Sequence, residues 1–227
     1  MLFIFFDTQQ YYILSMKKEL LLFDHDGVLV DTEQWYYQAN REILATIGID
    51  LDFNSYMEIM INGHSALELA KDKGYSDKQV IQLRKQRTEI YQHYLKTKDI
   101  EISHVIDTLR KLKPHYQMAI VTTSMPDDFA IIHQGREIIS YMDKIFTRET
   151  YRHSKPHPEP YQTALSYFNK APEKAIVIED SERGLRSALA AGIDCVIMEN
   201  HFTRQHDFSG SIATLKEINE LPDFLCR

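Results

Sequence analysis

Apolar and polar residues along this chain follow two rhythms. Short, nearly unbroken apolar runs occur at Leu20-Leu21-Leu22-Phe23, Met118-Ala119-Ile120-Val121, Lys144-Ile145-Phe146-Thr147, Ala175-Ile176-Val177-Ile178 and from Asp194 to Met198. Their length suits strands buried on both faces of a parallel sheet. Between them, apolar residues recur every three or four positions, as on one face of a helix. Trp35, Ala39, Ile43 and Ile47 do so after the plausible N-cap Thr32, and Gly48 ends the run. Val105, Ile106, Leu109 and Leu112 share a face within 102–112. Further helices are expected from Pro126 to about Ile139, from Pro158 to about Tyr167, and from Ser181 to Ala191, with a closing helix at Leu215-Lys216-Glu217-Ile218.

Residues 52–97 read as helical throughout, with breaks at Asn62-Gly63-His64-Ser65 and at Lys73-Gly74-Tyr75-Ser76-Asp77, and no strand is expected between 32 and 98. The alternation elsewhere predicts an α/β fold, a doubly wound parallel sheet interrupted by an all-helical insertion. The expected organisation is a core from 16–32 and 98–227, a helical cap domain from 33–97, and an N-terminal extension over 1–15. That first stretch is apolar and aromatic, but Asp7, Gln9 and Gln10 interrupt it and no basic residues open it, unlike a signal peptide.

In doubly wound sheets, ligands sit outside the carboxyl ends of the strands. Three apolar runs here end in reactive side chains: Asp24 and Asp26, then Thr122-Thr123-Ser124, then Glu179-Asp180. Paired carboxylates at a strand end are costly unless a cation or a proton compensates them. Asp24 can serve as a nucleophile toward phosphorus, or cap a neighbouring helix. Asp26 can carry a proton to and from a reacting oxygen, or simply occupy a turn. Glu179 and Asp180 offer hard oxygen ligands that suit Mg²⁺, and Asp180 with Ser181 also fits a helix cap. Thr122 and Thr123 precede a helix whose first N–H groups make an anion site. Lys155, in a loop stiffened by Pro156 and Pro158, can pair with a phosphoryl oxygen.

Composition narrows the partners. A formal charge of −7 argues against a nucleic-acid partner and requires local positive charge wherever an anionic substrate binds. No apolar run is long enough to span a bilayer, so no membrane partner is expected. Two cysteines are too few for a disulfide framework and fit a reducing cytosol, so a cytoplasmic protein is expected. Without an apolar stripe outside the core, a monomer is expected.

Together these residues resemble the haloacid dehalogenase-like (HAD) hydrolase superfamily, in its subgroup with a helical cap. Asp24-His25-Asp26-Gly27-Val28-Leu29-Val30-Asp31-Thr32-Glu33 is similar to the first motif of that family, Thr122 falls on the second, Lys155 in Ser154-Lys155-Pro156-His157-Pro158 on the third, and Glu179-Asp180-Ser181 on the fourth. The resemblance covers about 17–215. It implies a Rossmann-like core and Mg²⁺-dependent phosphoryl transfer through an aspartyl-phosphate. Asp24 would be nucleophile and metal ligand, Asp26 acid and base and a metal ligand through its carbonyl, and Thr32 would position Asp26. Thr122, Thr123 and Lys155 would hold phosphate, and Asp180 with Glu179 would complete the metal site.

Dehalogenases, phosphonatases and transport ATPases of the family carry other residues where Asp26 stands, so the resemblance points to a phosphatase or a phosphomutase. The β-phosphoglucomutase-type mutase has a cap-loop arginine, and here Ala66 falls at about that place. The leading expectation is therefore a phosphatase acting on a small phosphorylated metabolite such as a sugar phosphate. A phosphomutase is the alternative, and a non-catalytic phospholigand-binding protein comes third. His64 and Ser65 in the cap loop are the expected specificity residues, and His25 is expected to be a solvated or packed histidine.

Overall fold

A computed structural model describes residues 17–226, and the expected extension over 1–15 lies outside them. Six strands, β1 (Leu20–Phe23), β2 (Gln117–Val121), β3 (Lys144–Phe146), β4 (Ala175–Glu179), β5 (Asp194–Met198) and β6 (Ala213–Leu215), form one sheet in the order β3-β2-β1-β4-β5-β6. Every pairing is parallel, with Leu20 opposite both Gln117 and Ala175. This is the Rossmann-like doubly wound order, and its direction reverses at the seam between β1 and β4.

β1 is the central strand, and its four side chains are wholly buried. Because successive side chains point to opposite faces, Leu21 and Phe23 join one core while Leu20 and Leu22 join the other. The first core is covered by α5 (Val105–Leu112), α6 (Pro126–Ile132) and the chain end around Ile218 and Leu221. The second is covered by α7 (Glu159–Phe168) and α8 (Glu182–Ala190). Burying each Leu or Phe of β1 contributes roughly 1.5–3 kcal/mol, enough to fix this run as the middle of the sheet.

Residues 33–97 are helical: α1 (Glu33–Ala45), α2 (Phe53–Ile61), α3 (Leu69–Asp72) and the long α4 (Asp77–Thr97), with a 3-10 turn at Ala66–Glu68. They enclose a third apolar cluster around Leu44, Leu51, Tyr56 and Leu67, to which Phe202 also contributes. Tyr91 and Leu95 of α4 instead join the sheet core, so α4 bridges the two bodies of apolar packing.

Two sequence-based boundaries require correction. α6 ends at Ile132 rather than near Ile139, because Gly135 takes a φ of +78°, and only a 3-10 turn at Ile138–Tyr141 follows. The closing helix at Leu215–Ile218 does not form. Ala213–Leu215 instead pairs with Val196–Met198 as edge strand β6, and α9 (Leu221–Leu225) starts later, with Pro222 in its first turn.

Candidate active site

The site is assembled at the carboxyl ends of β1, β2 and β4. The Asp24 amide still donates to the Ile178 carbonyl at 2.8 Å, so Asp24 prolongs β1 by one residue. The chain then curls back, with the Gly27 amide donating to the Val30 carbonyl at 2.8 Å. Gly27 has a φ of +81°, and a Cβ there would stand 2.2 Å from Asp180 Oδ2. Only glycine meets both demands, and the close approach brings the motif against the end of β4.

Lys155 is the hub. Its Nζ donates to Asp24 Oδ1 at 2.7 Å, to Glu179 Oε1 at 2.6 Å and to the Val121 carbonyl at 2.8 Å. Glu179 is fully buried; its Oε1 also accepts from the Tyr161 hydroxyl at 2.7 Å, and its Oε2 from Ser181 Oγ at 3.1 Å. Gly184 makes room for it, since a Cβ there would lie 1.8 Å from the Glu179 carboxyl carbon. Burial works to raise the Glu179 pKa, but Lys155, Tyr161 and Ser181 outweigh it and keep this carboxyl ionised. Asp24 is pushed up to about 6, by burial first and by Glu179 next, against the pull of Lys155. Asp180 is pushed well above the carboxylate range by burial, Glu179 and Asp24, and its Oδ2 accepts from Asn200 Nδ2 at 2.8 Å.

One carboxylate oxygen from each of Asp24, Glu179 and Asp180 lies within 4.8 Å of the others. With all three ionised, three carboxylates against one ammonium leave two negative charges, which a divalent cation would balance and so keep Asp24 and Asp180 ionised. The all-oxygen donor set fits Mg²⁺, a hard ion.

Asp26 is held differently. Thr32 Oγ1 donates to its Oδ1, while Ser124 Oγ, Thr122 Oγ1 at 3.4 Å and His25 Nδ1 at 3.2 Å converge on its Oδ2. Burial would raise this carboxyl, yet His25, Ser124 and Thr32 together hold it well below the usual carboxylate range. Thr122 Oγ1 also accepts from the Ser124 amide at 3.0 Å, which shapes the turn into α6.

Two cavities open onto these groups. A small one, about 70 Å³, reaches Asp24, Asp26, Thr123 and Asp180; its other wall is Tyr56, Met57, Met60 and Ile61 of α2. A larger one, about 500 Å³, runs from Asp26, Thr123 and Ser124 to α4, where Arg84 and Arg87 line it, with Arg183 from α8. Arg87 is only 8% exposed, its Nε has no hydrogen-bond partner, and its guanidinium stands 4.4 Å from the Tyr36 ring centre. Glu33 lines both cavities, and burial with the nearby Asp26 pushes its carboxyl up to about 7.

The structure thus brings together Asp24, Asp26, Thr32, Thr122, Thr123, Lys155, Glu179 and Asp180. It does not bring His64 or Ser65 to either cavity: His64 is exposed, and Ser65 Oγ accepts from the Leu67 amide at 3.4 Å, starting the 3-10 turn. Arg87, Arg183 and Glu33 are site residues the sequence reading did not single out. Ser124, named there only as part of the polar cluster after β2, turns out to donate to Asp26. His25 is packed, as expected, but it also holds the Asp26 carboxylate.

The geometry agrees with what the chain is similar to. Residues 21–198 match the haloacid dehalogenase-like hydrolase family. Protein CbbY of Cereibacter sphaeroides is 29% identical over 218 residues, covering 89% of this chain and 94% of that protein. A phosphorylated carbohydrates phosphatase of Thermotoga maritima is 30% identical over 185 residues, covering 78% and 82%. The crystal structures of CbbY from Rhodobacter sphaeroides, one with phosphate and one, of a variant, with xylulose 1,5-bisphosphate, superpose with a TM-score of 0.77 at 25% identity, covering 90% of this chain and 96% of that one. With its four motifs gathered at one sheet edge and most of its length matched, the chain belongs to the haloacid dehalogenase-like hydrolases and is a phosphatase of that family.

Proposed function

We propose that this phosphatase hydrolyses a small phosphorylated sugar or similar metabolite, through an aspartyl-phosphate on Asp24 and with Mg²⁺ as cofactor. The observation that carries the reading is the Lys155 hub, which sets Asp24 beside Glu179 and Asp180 at the mouth of a cavity that also holds Asp26.

In the first step an Asp24 carboxylate oxygen forms a bond to phosphorus while the bond from phosphorus to the leaving oxygen breaks. Asp26, which its hydrogen bonds hold ionised at rest, first takes up a proton and then gives it to that oxygen. In the second step Asp26, now ionised, takes a proton from water as the water oxygen attacks phosphorus, and the Asp24 carboxylate leaves. Lys155 and the N–H groups after Thr122 offset charge on the phosphoryl oxygens. Asp24, Glu179, Asp180 and the Asp26 carbonyl would hold Mg²⁺, which supplies charge neutralisation at the phosphoryl group when bound. The helices of 33–97 act as the cap, forming one wall of the two cavities. Two free cysteines, Cys195 and Cys226, accord with a cytoplasmic enzyme, and no described helix is long and apolar enough to cross a membrane.

The larger cavity supports a finer reading. Three guanidinium groups face a space continuous with the phosphoryl site, which suits a substrate with a second anionic group. That a relative has been solved with a bisphosphate supports the same reading. A phosphomutase also needs a second phosphate site, so product identity separates the two.

Purified protein with Mg²⁺ should release phosphate from p-nitrophenyl phosphate, and Asp24→Asn should abolish the release while leaving the fold intact. Turnover that survives this substitution sinks the mechanism. A panel of sugar mono- and bisphosphates, scored by free phosphate and by isomerised sugar phosphate, then identifies the substrate and distinguishes hydrolysis from mutase activity.

A further inference from the structure

The group between the two motif aspartates is a histidine, and it is fully buried. His25 Nδ1 lies 3.2 Å from Asp26 Oδ2, and its Nε2 lies 2.9 Å from Nε2 of His133, at the end of α6. Phe129 packs against both rings, with centroid distances of 4.9 Å to His25 and 4.3 Å to His133. His133 is 6% exposed, and its Nδ1 has no partner.

Donor and acceptor counting fixes the wiring. An ionised Asp26 oxygen can only accept, so His25 Nδ1 carries the hydrogen. In a neutral His25 the Nε2 then accepts, and His133 must donate through Nε2–H. The unpaired His133 Nδ1 is left as a bare lone pair. The opposite arrangement, a doubly protonated His25 with His133 accepting, buries both a charge and an unpaired N–H, which is costlier.

We propose that His133 locks His25 in the Nδ1–H tautomer, and that His25 is thereby a positioning residue for Asp26. It holds Oδ2 alongside Thr122 and Ser124, leaving Oδ1, with Thr32 its one hydrogen-bond donor, to carry the proton to the leaving oxygen and receive it from water. The inference rests on the proposed role of Asp26 and extends it to two residues that touch neither substrate nor metal. Because the motif leaves no room for solvent at His25, the tautomer can be set only from within the core, and α6 is the element that sets it.

The test compares p-nitrophenyl phosphate with phenyl phosphate, which has the same shape but a poorer leaving group, in full-length protein with Mg²⁺. kcat/KM reports the phosphorylation step, in which only the poorer leaving group depends strongly on the proton from Asp26. His25→Leu and His133→Leu should each lower kcat/KM for phenyl phosphate about tenfold, the scale of a lost outer-shell partner, and lower it much less for p-nitrophenyl phosphate. His25→Asn, whose amide N–H replaces Nδ1–H, should recover most of the phenyl phosphate activity. Equal losses on both substrates would mean a merely structural role and overturn the proposal. ¹⁵N NMR of the wild-type histidines gives a readout independent of any variant that fails to fold: the Nδ1–H tautomer is expected for His25, and an Nε2–H tautomer overturns it. Asp26→Asn separates the layers. If it is inactive while His25→Leu matches wild type, the positioning role alone fails; if it keeps full turnover, the role of Asp26 fails and the positioning role falls with it.

Discussion

The Lys155 ammonium stands 2.7 Å from the Asp24 carboxylate across 131 residues of sequence, and the same nitrogen reaches Glu179 at 2.6 Å. Removing one partner of a buried charge network costs about 3–5 kcal/mol, because the others are left uncompensated. Lys155→Met is therefore expected to lose stability of that order in EDTA and to regain part of it with Mg²⁺, whose charge replaces the missing one. Urea unfolding in EDTA and in Mg²⁺ measures both. A Mg²⁺ effect no larger than in wild type would count against the metal site.

Gly184 should tolerate no side chain. A Cβ there meets the Glu179 carboxyl group at 1.8–2.1 Å, and Glu179 is fixed by Lys155 and Tyr161. Overpacking of this kind typically costs 1–3 kcal/mol. Gly184→Ala is expected to fall at the upper end and to lower turnover, since the displaced carboxylate carries Lys155 with it. Thermal unfolding and p-nitrophenyl phosphate hydrolysis check the two effects together.

Arg87 should matter for binding and not for stability. Its guanidinium is almost wholly buried with Nε unpaired, an arrangement an apolar side chain of similar length satisfies better. Arg87→Met is expected to unfold at the same or a higher urea concentration than wild type. Inhibition of p-nitrophenyl phosphate hydrolysis by fructose 1,6-bisphosphate should weaken by roughly tenfold, about 1.4 kcal/mol, with a smaller change for fructose 6-phosphate. Equal changes for both ligands would rule out a second anion at this arginine.

His133 should shape the acid limb of stability. Burial, then the adjacent His25 and Arg136, bring its imidazole down from 6.5 to about 3, against a smaller opposing pull from Asp26. Between those values the unfolded chain binds the proton and the folded one does not, so stability falls as pH drops from 6.5 toward 3. At pH 5 this amounts to about 2 kcal/mol. Denaturant unfolding at pH 7 and pH 5 should show wild type losing about that much more than His133→Leu; parallel losses would assign the acid limb to other groups.

The strand ends were legible in the sequence because each is a bounded apolar run followed at once by polar side chains, as at Phe23-Asp24, Val121-Thr122 and Ile178-Glu179. Lys155 was legible only through its motif; nothing in its local sequence reveals that it is buried. The end of α6 was not legible, because Phe129, Ile131, Ile132, Ile138 and Ile139 keep an apolar rhythm that the backbone abandons at Gly135. Leu215 was misread because a three-residue edge strand is too short to show a period, and its pairing with β5 is a tertiary event. Arg87 sits beside Arg84, Lys85 and Glu89 on a heavily charged helix, where a buried guanidinium looks like any solvated one. The His25–His133 contact spans 108 residues and leaves no trace in either local pattern.

The central place of β1 also orders events in time. Among the described residues it is the first strand to leave the ribosome, yet its neighbours begin at Gln117 and Ala175. The helices of 33–97, held by contacts near in sequence, can form while β1 still lacks partners. Until β4 is made, the apolar run Leu20–Phe23 is bare strand edge, the kind of surface that invites aggregation or a chaperone. When β4 does arrive it brings Glu179, with Asp180 next in the chain, so covering the second edge of β1 and gathering the carboxylate cluster are one event.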